Sequence, residues 1–106
     1  MAETITVARP YAQAAFEYAD AQHLLQEWAD MLVLMATVVT DKDMAVLLDS
    51  PRLTEQQLSD LIIEICGDKL SDKGANFVRV LAANRRLGVI PDIAALYEIQ
   101  RQAAEG

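Results

Sequence analysis

Apolar residues recur along this chain at spacings of three and four, in six runs parted by short polar breaks, which is the signature of amphipathic helices. No stretch alternates with a period of two for long enough to make a strand. There is no internal repeat and no low-complexity tract. Helices without a sheet must bury their stripes on one another, and 106 residues suffice for one domain with a real core but not for two. Four glycines, three prolines and an abundance of Ala, Leu, Gln, Glu and Met push the same way. The pattern predicts an all-α, compact six-helix bundle, with residues 1–106 as a single domain.

Punctuation sets the expected elements. The first helix runs from about Thr6 to Asp20, with Pro10 near its beginning, where a missing N–H is best tolerated. After "DAQH" a second helix runs from about Leu24 to Val39, apolar on most sides (Trp28, Met31, Leu32, Leu34, Met35, Val38, Val39) and so expected to be central. Thr40 with Asp43 reads as a capping-box variant opening a short helix that ends near Leu48. Thr54 with Gln57 is a better box. It starts a fourth helix carrying Leu58, Leu61, Ile62 and Ile65, stopped by Gly67. Ser71 caps a fifth helix expected to reach about Arg86, closed by Gly88. Pro91 sits in the first turn of a sixth, with Ile93, Leu96, Tyr97 and Ile99 to Ala104.

Two of these helices carry a surplus stripe. In the first, Ala8, Ala12, Ala15, Phe16 and Ala19 form a face suited to the core, while Val7, Tyr11, Ala14 and Tyr18 lie a quarter-turn or more away. In the fifth, Phe77, Val78, Leu81 and Ala82 suit the core. Val80 falls on another line with Asn76, Ala83 and Leu87. If the two surplus stripes are adjacent, they form a shallow apolar groove with small residues on its floor and tyrosines at its edge, suited to another helix. The alternative is that an inner helix uses two faces because it has neighbours on both. Trp28 is open in the same way, as a core anchor beneath the first helix or as part of the groove rim. Arg79, Arg85 and Arg86 could bind carboxylates of a partner or interact with helix-end carbonyls.

Several function classes are excluded. A net charge of −7 argues against nucleic acid. The longest uncharged apolar run, "MLVLMATVV", is about half of what spans a bilayer, and the first ten residues form neither a secretory signal nor a transit peptide. Cys66 and His23 are the only thiol and the only imidazole. Cys66 is expected to be buried as a small apolar residue and His23 to be exposed in a break. One of each cannot hold zinc, and no phosphate-binding glycine loop is present. No catalytic residue, cofactor or metal site is expected, and the chain is expected not to be an enzyme.

"ITVARPYAQAAFEYA" near the start, Trp28 with "DML" at residues 30 to 32, Cys66–Gly67, and above all "NFVRVLAANRRLGVIPDI" from residue 76 to 93 together resemble the N-terminal domain of the ATP synthase delta subunit. The mitochondrial relative of that subunit is the oligomycin-sensitivity-conferring protein. The resemblance covers essentially the whole chain, in order. It implies a six-helix bundle on top of the catalytic head that receives the N-terminal helix of an alpha subunit between its first and fifth helices. Carried over by position, that groove would comprise Val7, Tyr11, Ala14, Tyr18, Asn76, Val80 and Ala83, with Trp28 and Arg79 as possible rim residues. The implied role is a non-catalytic stator adaptor linking the head to the peripheral stalk during proton-driven ATP synthesis. The implied setting is the bacterial cytoplasm, peripheral to the inner membrane, without direct membrane insertion, and the isolated domain is expected to be a monomer. Family members continue into a C-terminal region that meets the stalk b subunits, and this sequence stops at "QAAEG", so that region is expected to be absent. A helical regulatory module binding some other amphipathic segment is the competing reading. Tyr11 and Val80, mid-stripe, are the expected carriers of binding energy.

Overall fold

The computed structural model describes residues 2–105. Among them are six α-helices: α1 (Ala2–Gln22), α2 (Leu25–Thr40), α3 (Lys42–Leu48), α4 (Glu55–Cys66), α5 (Asp72–Ala83) and α6 (Ile90–Glu105). Short 3-10 turns at Gly67–Lys69 and Leu87–Val89 flank α5. No strand occurs among the described residues, and no helix is long and apolar enough to cross a membrane.

The core is built around α2 and α6. Ala8, Ala12, Ala15 and Ala19 of α1 are all buried, and this stripe of small side chains lets α1 lie close along α6 and α2. Leu32 and Met35 of α2, Ile62 of α4, Val78 and Leu81 of α5, and Ile90, Ile93 and Tyr97 of α6 complete the interior. Phe16 meets Tyr97 edge-on, with centroids 6.1 Å apart, and the Tyr97 hydroxyl donates to the carbonyl of Leu25 at 2.6 Å. Burial pushes the Tyr97 phenol up to about 12. On the outside of α6, Arg101 grips Glu98 through two nitrogens at 2.7 and 3.0 Å and reaches Glu105 at 3.0 Å. The hydrogen bonds from Arg101 hold the Glu98 carboxyl below its usual range.

Five local expectations need correction. α1 begins at Ala2 rather than near Thr6, so Pro10 lies well inside it. Burial of Ala8 on the core face carries the helix past the one residue that gives no N–H to the ladder. Thr40 is not a cap but the last residue of α2, its hydroxyl turned back to the carbonyl of Ala36 at 2.7 Å. The cap of α3 is Asp41, whose carboxylate accepts from the backbone N–H groups of Asp43 and Met44. α5 stops at Ala83, three residues before Arg86 and well before Gly88. Arg85 takes the left-handed conformation (φ 59°), and the N–H groups of Arg85 and Arg86 donate to the carbonyls of Ala82 and Leu81, the double closure of a Schellman motif. Leu87 is therefore free of the line of Val80 and is buried in the core. Ile65 and Ile99, counted among the apolar positions of α4 and α6, are exposed.

The Thr54–Gln57 capping box is present in both directions, at 2.9 and 3.1 Å, and α4 ends on Gly67 at φ 60°. Ser71 caps α5 by accepting from the N–H of Gly74. Gly74 is buried beneath α2: a Cβ there would stand 2.7 Å from the sulfur of Met31. That same sulfur accepts from the N–H and the hydroxyl of Ser71 at 3.4 and 3.5 Å, so one methionine fixes where α5 starts.

Candidate groove between the first and fifth helices

Three aromatic rings set the floor of the site. Tyr18 on α1, Trp28 on α2 and Phe77 on α5 form a ladder of edge-to-face contacts. The Tyr18–Trp28 centroids are 5.8 Å apart at 70°, and those of Trp28–Phe77 are 5.5 Å apart at 89°. Each geometry sets a ring's positive edge against another's negative face. The indole of Trp28, 3% exposed, holds α1 and α5 apart by its own width. Above it lies an open pocket of about 260 Å³ lined by Ala14, Ala15, Tyr18, Trp28, Lys73, Asn76, Phe77 and Val80.

The two walls run antiparallel. At one end Tyr18 and Lys73 face the same pocket. At the other, the Asn84 amide just past the end of α5 donates to the hydroxyl of Tyr11 at 3.0 Å. That bond ties α1 to the C-terminal end of α5 and closes the groove there. Val80 is about half exposed, and Ala14 and Asn76 are exposed, so the middle of the groove is open to solvent.

Of the residues expected to make this groove, Ala14, Tyr18, Asn76 and Val80 line the pocket, and so does Trp28. Trp28 resolves the choice left open by the sequence: it is a core residue whose edge forms the pocket floor. Val7 and Tyr11 do not line the pocket; both are half-buried against the core, and Tyr11 marks the closed end. Ala83 and Arg79 line a separate cleft between α4 and α5, together with Glu55, Gln56, Ser59 and Ala82. An i, i+7 spacing drifts about 20° around a helix, enough to turn Ala83 over the ridge toward α4. Arg85 is not at the groove either; it pairs with Glu55 at 3.3 Å.

Three lining residues lie outside the two surplus stripes. Ala15 and Phe77 belong to the core stripes of their helices and still reach the pocket, and Lys73 joins them from the first turn of α5. Phe77 lies one turn from both Lys73 and Val80, a signal available in the sequence. Two buried polar atoms lack a hydrogen-bond partner among the described residues, Trp28 Nε1 and Gln100 Oε1.

Away from the groove, Cys66 is buried, which pushes its thiol up, and His23 is exposed at φ 60° where α1 ends. No three His, Cys, Asp or Glu side chains among the described residues come together as metal ligands.

Comparison with known proteins identifies the family of the chain. The family model described as the ATP synthase delta (OSCP) subunit matches residues 7–106. The chain is 49% identical over 106 residues to ATP synthase subunit delta of Thioalkalivibrio sulfidiphilus and 47% identical over 106 residues to that of Nitrosococcus oceani, in each case over 100% of this chain and 60% of the relative. It is 50% identical over 98 residues to the subunit from Hahella chejuensis, over 92% of this chain and 55% of the relative. The chain thus spans about 60% of the length of the curated relatives it matches.

Proposed function

This chain belongs to the ATP synthase delta (OSCP) subunit family, and from that premise we propose that it is a non-catalytic stator adaptor whose α1–α5 groove receives the N-terminal helix of an alpha subunit. On this reading the bundle sits on the catalytic head at the cytoplasmic side of a bacterial membrane, peripheral to it, and ties the head to the stalk. Contact with the stalk b subunits falls to the part of the relatives' length that this chain does not span.

The observation that carries the reading is the open pocket over Trp28. It is lined by small Ala14 and Ala15, by the half-exposed Val80 and by the ring of Tyr18, and it lies between two helices held apart by an aromatic spacer. Small residues on the α1 wall let a helix approach closely, and an apolar stripe with a tyrosine at its edge matches an amphipathic helix laid into a groove. A stator must resist torque without turnover. Rigid walls spaced by a buried indole serve that need, because little ordering of the groove remains to oppose binding.

Titrating the chain with a peptide of the alpha subunit's N-terminal segment while following Trp28 fluorescence tests the reading. Saturable binding with a change of emission intensity is expected, since a helix over the pocket alters the surroundings of the indole edge beneath it, the only tryptophan of the sequence. A peptide that binds equally well to a chain carrying Val80→Asp would place its site elsewhere and sink the proposal.

A further inference from the structure

The groove has one charged side chain among its lining residues, Lys73, and its surroundings make that lysine anomalous. Like most of the chain's basic residues, Lys73 makes no ion pair among the described residues, but it alone stands in the groove. It also occupies the second position of α5, in the first turn, where the helix dipole favours a carboxylate and disfavours an ammonium. Its neighbours in the pocket are aromatic rings, Ala14, Ala15, Val80 and the neutral amide of Asn76, which accommodate the aliphatic stem but supply no counter-charge.

We propose that Lys73 is the specificity point of the groove: the docking helix carries a carboxylate side chain that pairs with it at the Tyr18 end. The inference rests on the docking reading above and adds to it the chemistry and placement of one partner residue. Lys73 and Val80 lie seven residues apart on α5, roughly 10 Å along the axis at 1.5 Å per residue. A helix laid along the groove therefore places its carboxylate about two turns from the apolar side chain that covers Val80. The closed end at Tyr11 and Asn84 offers no cation within the pocket, so the pairing also fixes the direction in which the helix lies.

The test is calorimetric titration of the full chain, and of its Lys73→Gln and Lys73→Glu variants, with the alpha N-terminal peptide. A set of peptides in which each acidic residue in turn is changed to its amide completes the design. Lys73 is exposed, and circular dichroism checks that both variants remain folded. One amide peptide is expected to bind the unmodified chain about 3–5-fold more weakly, the range of a partly exposed ion pair. That loss should vanish in Lys73→Gln. Lys73→Glu should weaken the original peptide by about tenfold and be rescued by a lysine at the same peptide position. Equal binding by Lys73→Gln and the unmodified chain, or by all the amide peptides, overturns the role of Lys73 and leaves the docking reading standing. Failure of the original peptide to bind the folded, unmodified chain overturns both.

Discussion

The indole of Trp28 stands edge-on to the ring of Phe77, centroids 5.5 Å apart and planes at 89°, and this contact joins the central helix α2 to the far wall of the groove. With Tyr18 on the indole's other side, one side chain both fills the core and sets the groove's width. Trp28→Ala should therefore cost about 3–5 kcal/mol of stability, the usual range for emptying a large aromatic site. Trp28→Phe keeps a ring there and removes an indole N–H that has no acceptor among the described residues. It should cost much less, about 1 kcal/mol or below. Urea unfolding midpoints of the two variants decide, and equal losses would show that the ring contacts matter little.

Gly74 and Met31 form a second tight junction. A methyl group on Gly74 would press on the Met31 sulfur at 2.7 Å and disturb the acceptor used by Ser71. Gly74→Ala is expected to destabilise by about 1–3 kcal/mol, as overpacking does. In a Met31→Ala background, where the obstacle is gone, the same change should be neutral or favourable, because alanine is the better helix former. A double-mutant cycle in urea reads the coupling; additive losses would contradict the geometry.

Asp41 rather than Thr40 caps α3. Asp41→Ala should cost about 0.5–2 kcal/mol, while Thr40→Ala, whose hydroxyl bonds only within its own helix, should cost less. Thermal melts of the two variants settle the assignment, and a larger loss from Thr40→Ala would reverse it.

Tyr97 gives the fold a dependence on alkaline pH. Its folded-state value of about 12 lies above the ordinary 10, because burial disfavours the phenolate. The folded state therefore holds the proton more tightly, and the stability this confers is complete below pH 10 and lost as pH rises from 10 toward 12. Urea midpoints across that window should fall more steeply for the unmodified chain than for Tyr97→Phe, which lacks the group. Parallel slopes would mean Tyr97 is not the source.

Much of this was legible in the residues. The alanine stripe of α1 and the Thr54–Gln57 box follow from spacing alone, and the structure has both as expected. The misplaced ends share a cause. Arg85 takes a positive φ that glycine adopts most easily, so the sequence points to Gly88 while α5 stops at Ala83. Thr40 lies inside α2, which runs one residue past the buried Val39, so the cap of α3 falls to Asp41. At the groove, periodicity found the right faces but not their neighbours. Whether Ala83 turns toward α1 or α4 depends on about 20° of helix rotation, and nothing in the local sequence sets that angle. Tyr11, an expected carrier of binding energy, is half-buried and tied to Asn84. Its removal would disturb the walls as well as any contact with a partner.

Ala14 gives the most direct test of the central claim, because it lines the pocket yet is exposed and outside the buried stripe of α1. The measurement is paired: thermal unfolding of the unmodified chain and of Ala14→Asp, then calorimetric titration of each with the alpha N-terminal peptide. Placing a carboxylate where a docked helix must exclude water should weaken binding by about 2 kcal/mol or more, roughly thirtyfold, while the midpoint of unfolding stays within a few degrees of the original. Undiminished binding by a folded Ala14→Asp chain would contradict the groove as the docking site. Loss of folding would mean that the surplus stripe of α1 belongs to the core.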